Sequence, residues 1–189
     1  MSLSLLTLAT AALQAAPAPA EAPRLGRFSD LPNVTVAHYD VQGENVRAVH
    51  KSIDEQAPRD PATNRAIPAT SDWSVSALVQ TGAAGPQCKV TTAKLNFAAN
   101  AKLPRLVPMG AAPIAPSLLA RWQAYVAQLE DRQVAQLRFA HDRLGRIEQE
   151  ILASSCNDWK AVATAAIDKL KKDKAATRAK ALPPPRLED

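Results

Sequence analysis

Ser117-Leu118-Leu119-Ala120-Arg121-Trp122-Gln123-Ala124-Tyr125-Val126-Ala127-Gln128-Leu129-Glu130-Asp131-Arg132-Gln133-Val134-Ala135-Gln136-Leu137 opens a stretch without proline that continues to Ala153 with one glycine, Gly145. Leu118, Trp122, Tyr125, Leu129, Gln133, Leu137, Ala140, Leu144, Ile147 and Ile151 step by three or four. That spacing puts them on one face of a helix. The stretch therefore predicts one long helix over 117–153, with Pro116 at its start, where the fixed φ of proline is compatible. The stripe has one flaw. Glu130, Asp131, Arg132, Gln133 and Gln136 are polar where neighbouring turns are apolar, and Gln133 stands on the stripe itself. A buried glutamine must find hydrogen bonds or cost a few kcal/mol. Two readings stay open at this point: a helix that leaves the core for one turn, or a polar site.

Before the helix the chain changes character. Val34–Val41 is rich in β-branched residues and reads as a strand. Val46, Val49 and Ile53 lie at helical spacing within Asn45–Gln56, which predicts a short amphipathic helix. Pro58–Ser71 holds three prolines and reads as a surface loop. Asp72–Gln80 alternates Trp73, Val75, Ala77 and Val79 with other residues, a strand with one apolar face. Gly82, Gly85 and Pro86 mark a hairpin-type turn into a returning strand over Cys88–Phe97. Pro104, Pro108, Pro113 and Pro116 then predict an irregular crossing to the long helix. After it, Ser155 or Asn157 can cap a final helix bearing Trp159, Val162, Ala166, Ile167 and Leu170. The expected fold is α+β: a small antiparallel sheet packed on a long helix, plus a C-terminal helix.

The chain has 189 residues and a formal charge of +5, and is 47% apolar but only 4% aromatic. That is enough for one domain with tails and a modest core. Leu3–Leu13 is an uncharged apolar run too short to span a bilayer, followed by the small residues of Ala15–Ala20. Together they have the layout of a cleavable signal peptide over 1–20. No Lys or Arg precedes the run, so its n-region rests on the amino terminus itself or on an upstream start. The alternative is an Ala/Pro leader on a cytosolic protein. Residues 21–33 read as a linker, 34–180 as a single domain and 181–189 as a disordered tail, with no transmembrane span after signal cleavage.

Cys88 and Cys156 are the only cysteines. In an exported chain two distant cysteines pair, and closing this loop stabilises the fold by about 4 kcal/mol in the chain-entropy model. Without export the reading reverts to two buried thiols. No C-x-x-C, G-x-S-x-G, phosphate loop or G-x-G-x-x-G occurs. The basic residues from Lys160 to Arg186 alternate with Asp158, Asp168 and Asp173 and have one aromatic, Trp159, among them. That is a solvated face, not a nucleic-acid surface.

Several segments carry a family likeness: Tyr39-Asp40-Val41-Gln42-Gly43, Trp73-Ser74-Val75, Cys88-Lys89-Val90, Leu103-Pro104-Arg105, Arg121-Trp122-Gln123-Ala124-Tyr125 and Ser155-Cys156. In this order they resemble a bacterial family of unknown function described as predicted secreted zinc-dependent proteases. The resemblance covers most of the chain after the leader. It implies a zincin-like scaffold and a His-Glu-x-x-His motif on the helix that begins with Trp122. Such a motif sets two imidazoles on one helix face for Zn²⁺ and a glutamate beside them as base. At the matching positions this chain has Arg132-Gln133-Val134-Ala135-Gln136. A guanidinium and an amide replace the ligands, and Gln133 cannot take a proton from water.

His38, His50 and His141 are the only histidines, and no two stand at i, i+4. The sequence thus implies no catalytic residue, no bound metal and no cofactor, and Arg132, Gln133 and Gln136 mark the degenerate positions of a former zinc site. The leading expectation is a periplasmic or secreted, non-catalytic domain that binds a peptide or an envelope protein. An active metallopeptidase with non-standard ligands and a purely structural envelope protein are the alternatives. The oligomeric state is not legible.

Overall fold

The computed structural model describes residues 26–61, 63–82, 88–180 and 185–187; the stretch read as a signal peptide lies outside them. Three strands, β1 (Val34–Val41), β2 (Thr70–Thr81) and β3 (Val90–Leu106), form one sheet in the order β1-β3-β2. Four helices accompany them: α1 (Val46–Gln56), α2 (Pro116–His141), α3 (Leu144–Leu152) and α4 (Trp159–Lys180). The architecture is α+β.

The sheet is mixed, not antiparallel. β2 and β3 pair antiparallel as the hairpin signals predict, but β1 pairs with β3 in parallel. The reason is the length of β3, which runs 17 residues and not the ten expected. Its second half reaches beyond the prolines that suggested an irregular crossing, and gives β1 a partner. Pro104 is tolerated because of the stagger. Odd-numbered residues of β3 direct their N–H toward β1, as Ala99 N–H to Asn33 O and Val107 N–H to Val41 O show. Pro104, an even residue, faces the other side, where β2 has already ended opposite Lys102. No ladder bond is lost there. The same stagger leaves the N–H of Leu95 beyond the start of β1, and Glu148 of α3 accepts it at 2.7 Å.

α1 begins where Asn45 Oδ1 accepts the N–H of Ala48, and buries Val46, Val49 and Ile53 as their spacing predicts. Gly43 makes the turn from β1 possible: a Cβ there would lie 2.5 Å from the backbone nitrogen of Val49. Within the stretch 21–33, Phe28 and Leu31 are buried.

All ten stripe positions from Leu118 to Ile151 are buried. The helix that carries them is nonetheless two helices. It breaks after His141, and α3 restarts at Leu144 to pack on β3. The stripe stays in phase across the break, which is why periodicity alone reads straight through it. Ser155 caps α4, its Oγ accepting the N–H of Asp158. Cys88 and Cys156 form the disulfide, joining the approach to β3 with the corner between α3 and α4. Three residues of the C-terminal stretch, 185–187, are also placed. Leu187 is buried, and its carbonyl accepts from Nε2 of His50 at 2.9 Å.

Candidate functional site

Helical spacing brings positions 129, 132, 133 and 136 of α2 to one side, and that side meets the chain leading into β2. Between them lies a cavity of about 190 Å³, walled by residues 66–71 and by Leu129, Arg132, Gln133 and Gln136. The three positions singled out in sequence thus face a single space. None of the lining residues is acidic.

Gln133 is only 4% exposed. Its Nε2 donates to the carbonyl of Ala69 at 3.3 Å. A carbonyl accepts and never donates, so this contact sets which way the amide points. Oε1 is turned the other way, and no donor among the described residues reaches it. Ser71, 8% exposed on the opposite wall, likewise has an Oγ without a partner among the described residues. A buried polar atom left unpaired costs about 1–3 kcal/mol; both residues line the cavity, while the two atoms themselves have almost no accessible surface.

Leu129 is fully buried, while Arg132 and Gln136 are half-buried at the rim. Arg132 carries an interaction of its own. The wall opposite α2 is fastened from outside. Tyr39 donates its hydroxyl to Pro68 O at 2.8 Å, and Lys174 of α4 donates to Ser71 O at 3.0 Å. Burial raises the pKa of the Tyr39 phenol, so it stays a donor. Between the cavity positions Leu129 and Arg132 on α2, Glu130 and Asp131 pair with Arg27. Burial raises the pKa of the Glu130 carboxyl, with Arg27 opposing.

The histidines are dispersed. His38 is exposed on β1, its pKa lowered by desolvation and then by Arg105. His50 sits on α1 against Leu187, and His141 ends α2 with its ring edge against Phe97. None of them lines the cavity. Among the described residues no group of three or more His, Cys, Asp or Glu could hold a metal ion. At the cavity itself a guanidinium and two amides do not suit Zn²⁺, which takes neutral imidazole, thiolate or carboxylate.

Sequence reading missed Ser71, Tyr39 and Lys174 as parts of this site. It placed Ser71 at the end of an exposed loop. A sign was present in Ala66-Ile67-Pro68-Ala69, an apolar run inside an otherwise polar segment. Ala69 is buried and Ile67 half-buried.

A family model described as a bacterial protein of unknown function (DUF922) matches residues 36–180. No curated protein and no solved structure matches the chain.

Proposed function

The chain belongs to this bacterial family of unknown function, and from that premise we propose that it is an exported, non-catalytic domain that binds peptide on a zincin-like, peptidase-derived scaffold. One observation carries the reading. Arg132, Gln133 and Gln136, spaced i, i+1 and i+4, open into the same cavity as the start of β2. Two histidines and a glutamate at these positions would meet a metal and a substrate in one space. With the residues present the same space offers hydrogen bonds and a positive charge, which suit a peptide and its acidic groups. The Cys88–Cys156 bond supports an oxidising location, periplasmic or secreted.

Calorimetric zinc titration of the wild type and of an Arg132→His/Gln136→His variant tests the scaffold. The wild type is expected to bind no stoichiometric zinc and to leave a fluorogenic peptide library uncut. The double variant is expected to gain zinc affinity. Stoichiometric zinc with peptide cleavage in the wild type would overturn the non-catalytic reading. A double variant without any gain would overturn the descent from a zinc helix.

A further inference from the structure

We propose that two copies of the chain join through the free edge of β2, pairing antiparallel about a dyad at Ser76 to make one continuous sheet. The pairing does not depend on what the cavity binds.

β2 is an edge strand, with β3 its one neighbour among the described residues. The register decides which of its backbone groups are left over. Odd residues of β3 send their N–H toward β1, as Ala99 does. The even residues of β3 therefore bond to β2, and their partners there are even too, Ser74 opposite Ala98 and Ser76 opposite Asn96. The odd residues of β2 point their N–H and C=O away from the sheet. At the start of this edge the outward carbonyls are occupied: Ala69 O accepts from Gln133, and Ser71 O from Lys174. From Trp73 to Val79 no backbone partner among the described residues meets the outward groups. After Gln80 the register with β3 shifts. The open edge is thus bounded at both ends, and Ser76 is its midpoint.

Folded proteins guard long sheet edges with charge, proline, bulges or short strands. β2 is 12 residues long, and from Trp73 to Gln80 it carries no charge and no proline. β1, on the opposite side of the sheet, has 8 residues and holds Asp40, paired with Arg105. Leu78 of β2, 57% exposed, is the most exposed large apolar side chain among the described residues.

The order of the residues favours a second copy. Across a dyad, residue i meets j and j meets i, so the residue on the axis meets itself. Ser76 is exposed, small and uncharged, and its hydroxyl both donates and accepts. Outward from it, Val75 meets Ala77 of the second copy, Ser74 meets Leu78, and Trp73 meets Val79. Trp73, Val75 and Val79 lie on the apolar face of the sheet, and an aromatic against a β-branched residue is a stabilising cross-strand pair. Asp72 falls opposite Gln80, so no charge meets its own copy. Ser71, whose carbonyl Lys174 holds, falls opposite Thr81, beyond the register shift, and neither cap is displaced. Every outward N–H and C=O from Trp73 to Val79 gains a partner.

Sedimentation velocity of the full, oxidised chain from micromolar to submillimolar concentration tests the pairing, and is expected to find a reversible dimer. Ser76→Lys sets two ammonium groups against each other at the axis, on a face that is solvated in the single chain. It should weaken the dimer at least tenfold without changing the circular dichroism spectrum. Ser76→Cys should cross-link the two copies on mild oxidation. Ser74→Cys should not, because its two copies stand about 13 Å apart along the paired strands. A dimer that Ser76→Lys leaves intact, or that cross-links equally through Ser74→Cys, would overturn the proposal by showing another surface or register. Polymers larger than a dimer would overturn the closed dyad. A monomer at all concentrations would overturn it as well, and hydrogen exchange would then say what the edge does. Protected amides at Trp73, Val75, Ala77 and Val79 would mean that the chain's own segments cover it, and freely exchanging ones that it is left to a strand of another protein.

Discussion

Two turns of one helix make the instructive contrast. At Leu137, α2 buries an apolar side chain completely. One turn earlier, at Gln133, the same stripe buries an amide whose oxygen no group among the described residues satisfies. Both side chains are buried, yet only Leu137 removes apolar surface from water without leaving a polar debt. The difference separates a residue whose burial stabilises the fold from one whose burial costs it. Gln133 lines a cavity with Arg132 and Gln136.

If that distinction is real, substitutions in the two turns must behave differently. Leu137→Ala should destabilise the protein by about 2–5 kcal/mol, through lost transfer energy and the cavity left behind. Chemical denaturation at constant m-value measures it, and a loss below 1 kcal/mol would mean the apolar turn is no more essential than the polar one. Next in size is the clip at the far end of α3. Cys88→Ser with Cys156→Ser should cost about 2–4 kcal/mol while leaving any ligand affinity at Arg132 unchanged. Thiol titration of unfolded, unreduced wild type should find no reactive thiol.

A smaller effect comes from Glu130, on the polar turn. Burial raises its folded pKa. A raised pKa means that the folded state holds the proton more tightly than the unfolded chain does. The stabilisation is therefore complete below the unfolded value and is lost as pH rises through the folded one. At neutral pH the ionised carboxyl works against the fold. Glu130→Gln should then be slightly more stable than wild type at pH 7, the gap closing below about pH 4. A gap of opposite sign at pH 7 would mean that the pairing with Arg27 outweighs the burial.

The stripe was legible because helical periodicity is local. Every residue from Leu118 to Ile151 that steps by three or four is buried, Gln133 included. The break after His141 was not legible, because the stripe keeps phase across it. The parallel pairing of β1 with β3 was hidden for a different reason. It depends on register between distant segments, and Pro104 argued against a strand at the place where the stagger makes proline harmless. Half of the site could be read directly, since Arg132, Gln133 and Gln136 set polar groups where the neighbouring turns of the helix are apolar. The opposite wall could not. Ser71, Tyr39 and Lys174 come from segments at separations of about sixty, ninety and forty residues from α2's cavity positions, and only tertiary structure gathers them.

The central claim is that the buried Gln133 amide does not hold the fold together. Denaturation of Gln133→Leu in the absence of ligand tests it most directly. Leucine removes the unsatisfied oxygen and the amide together, and Ala69 O still borders the cavity. The account predicts stability equal to wild type or higher by up to about 1 kcal/mol. A loss of about 2 kcal/mol or more would show that the amide holds the structure together, and would contradict it.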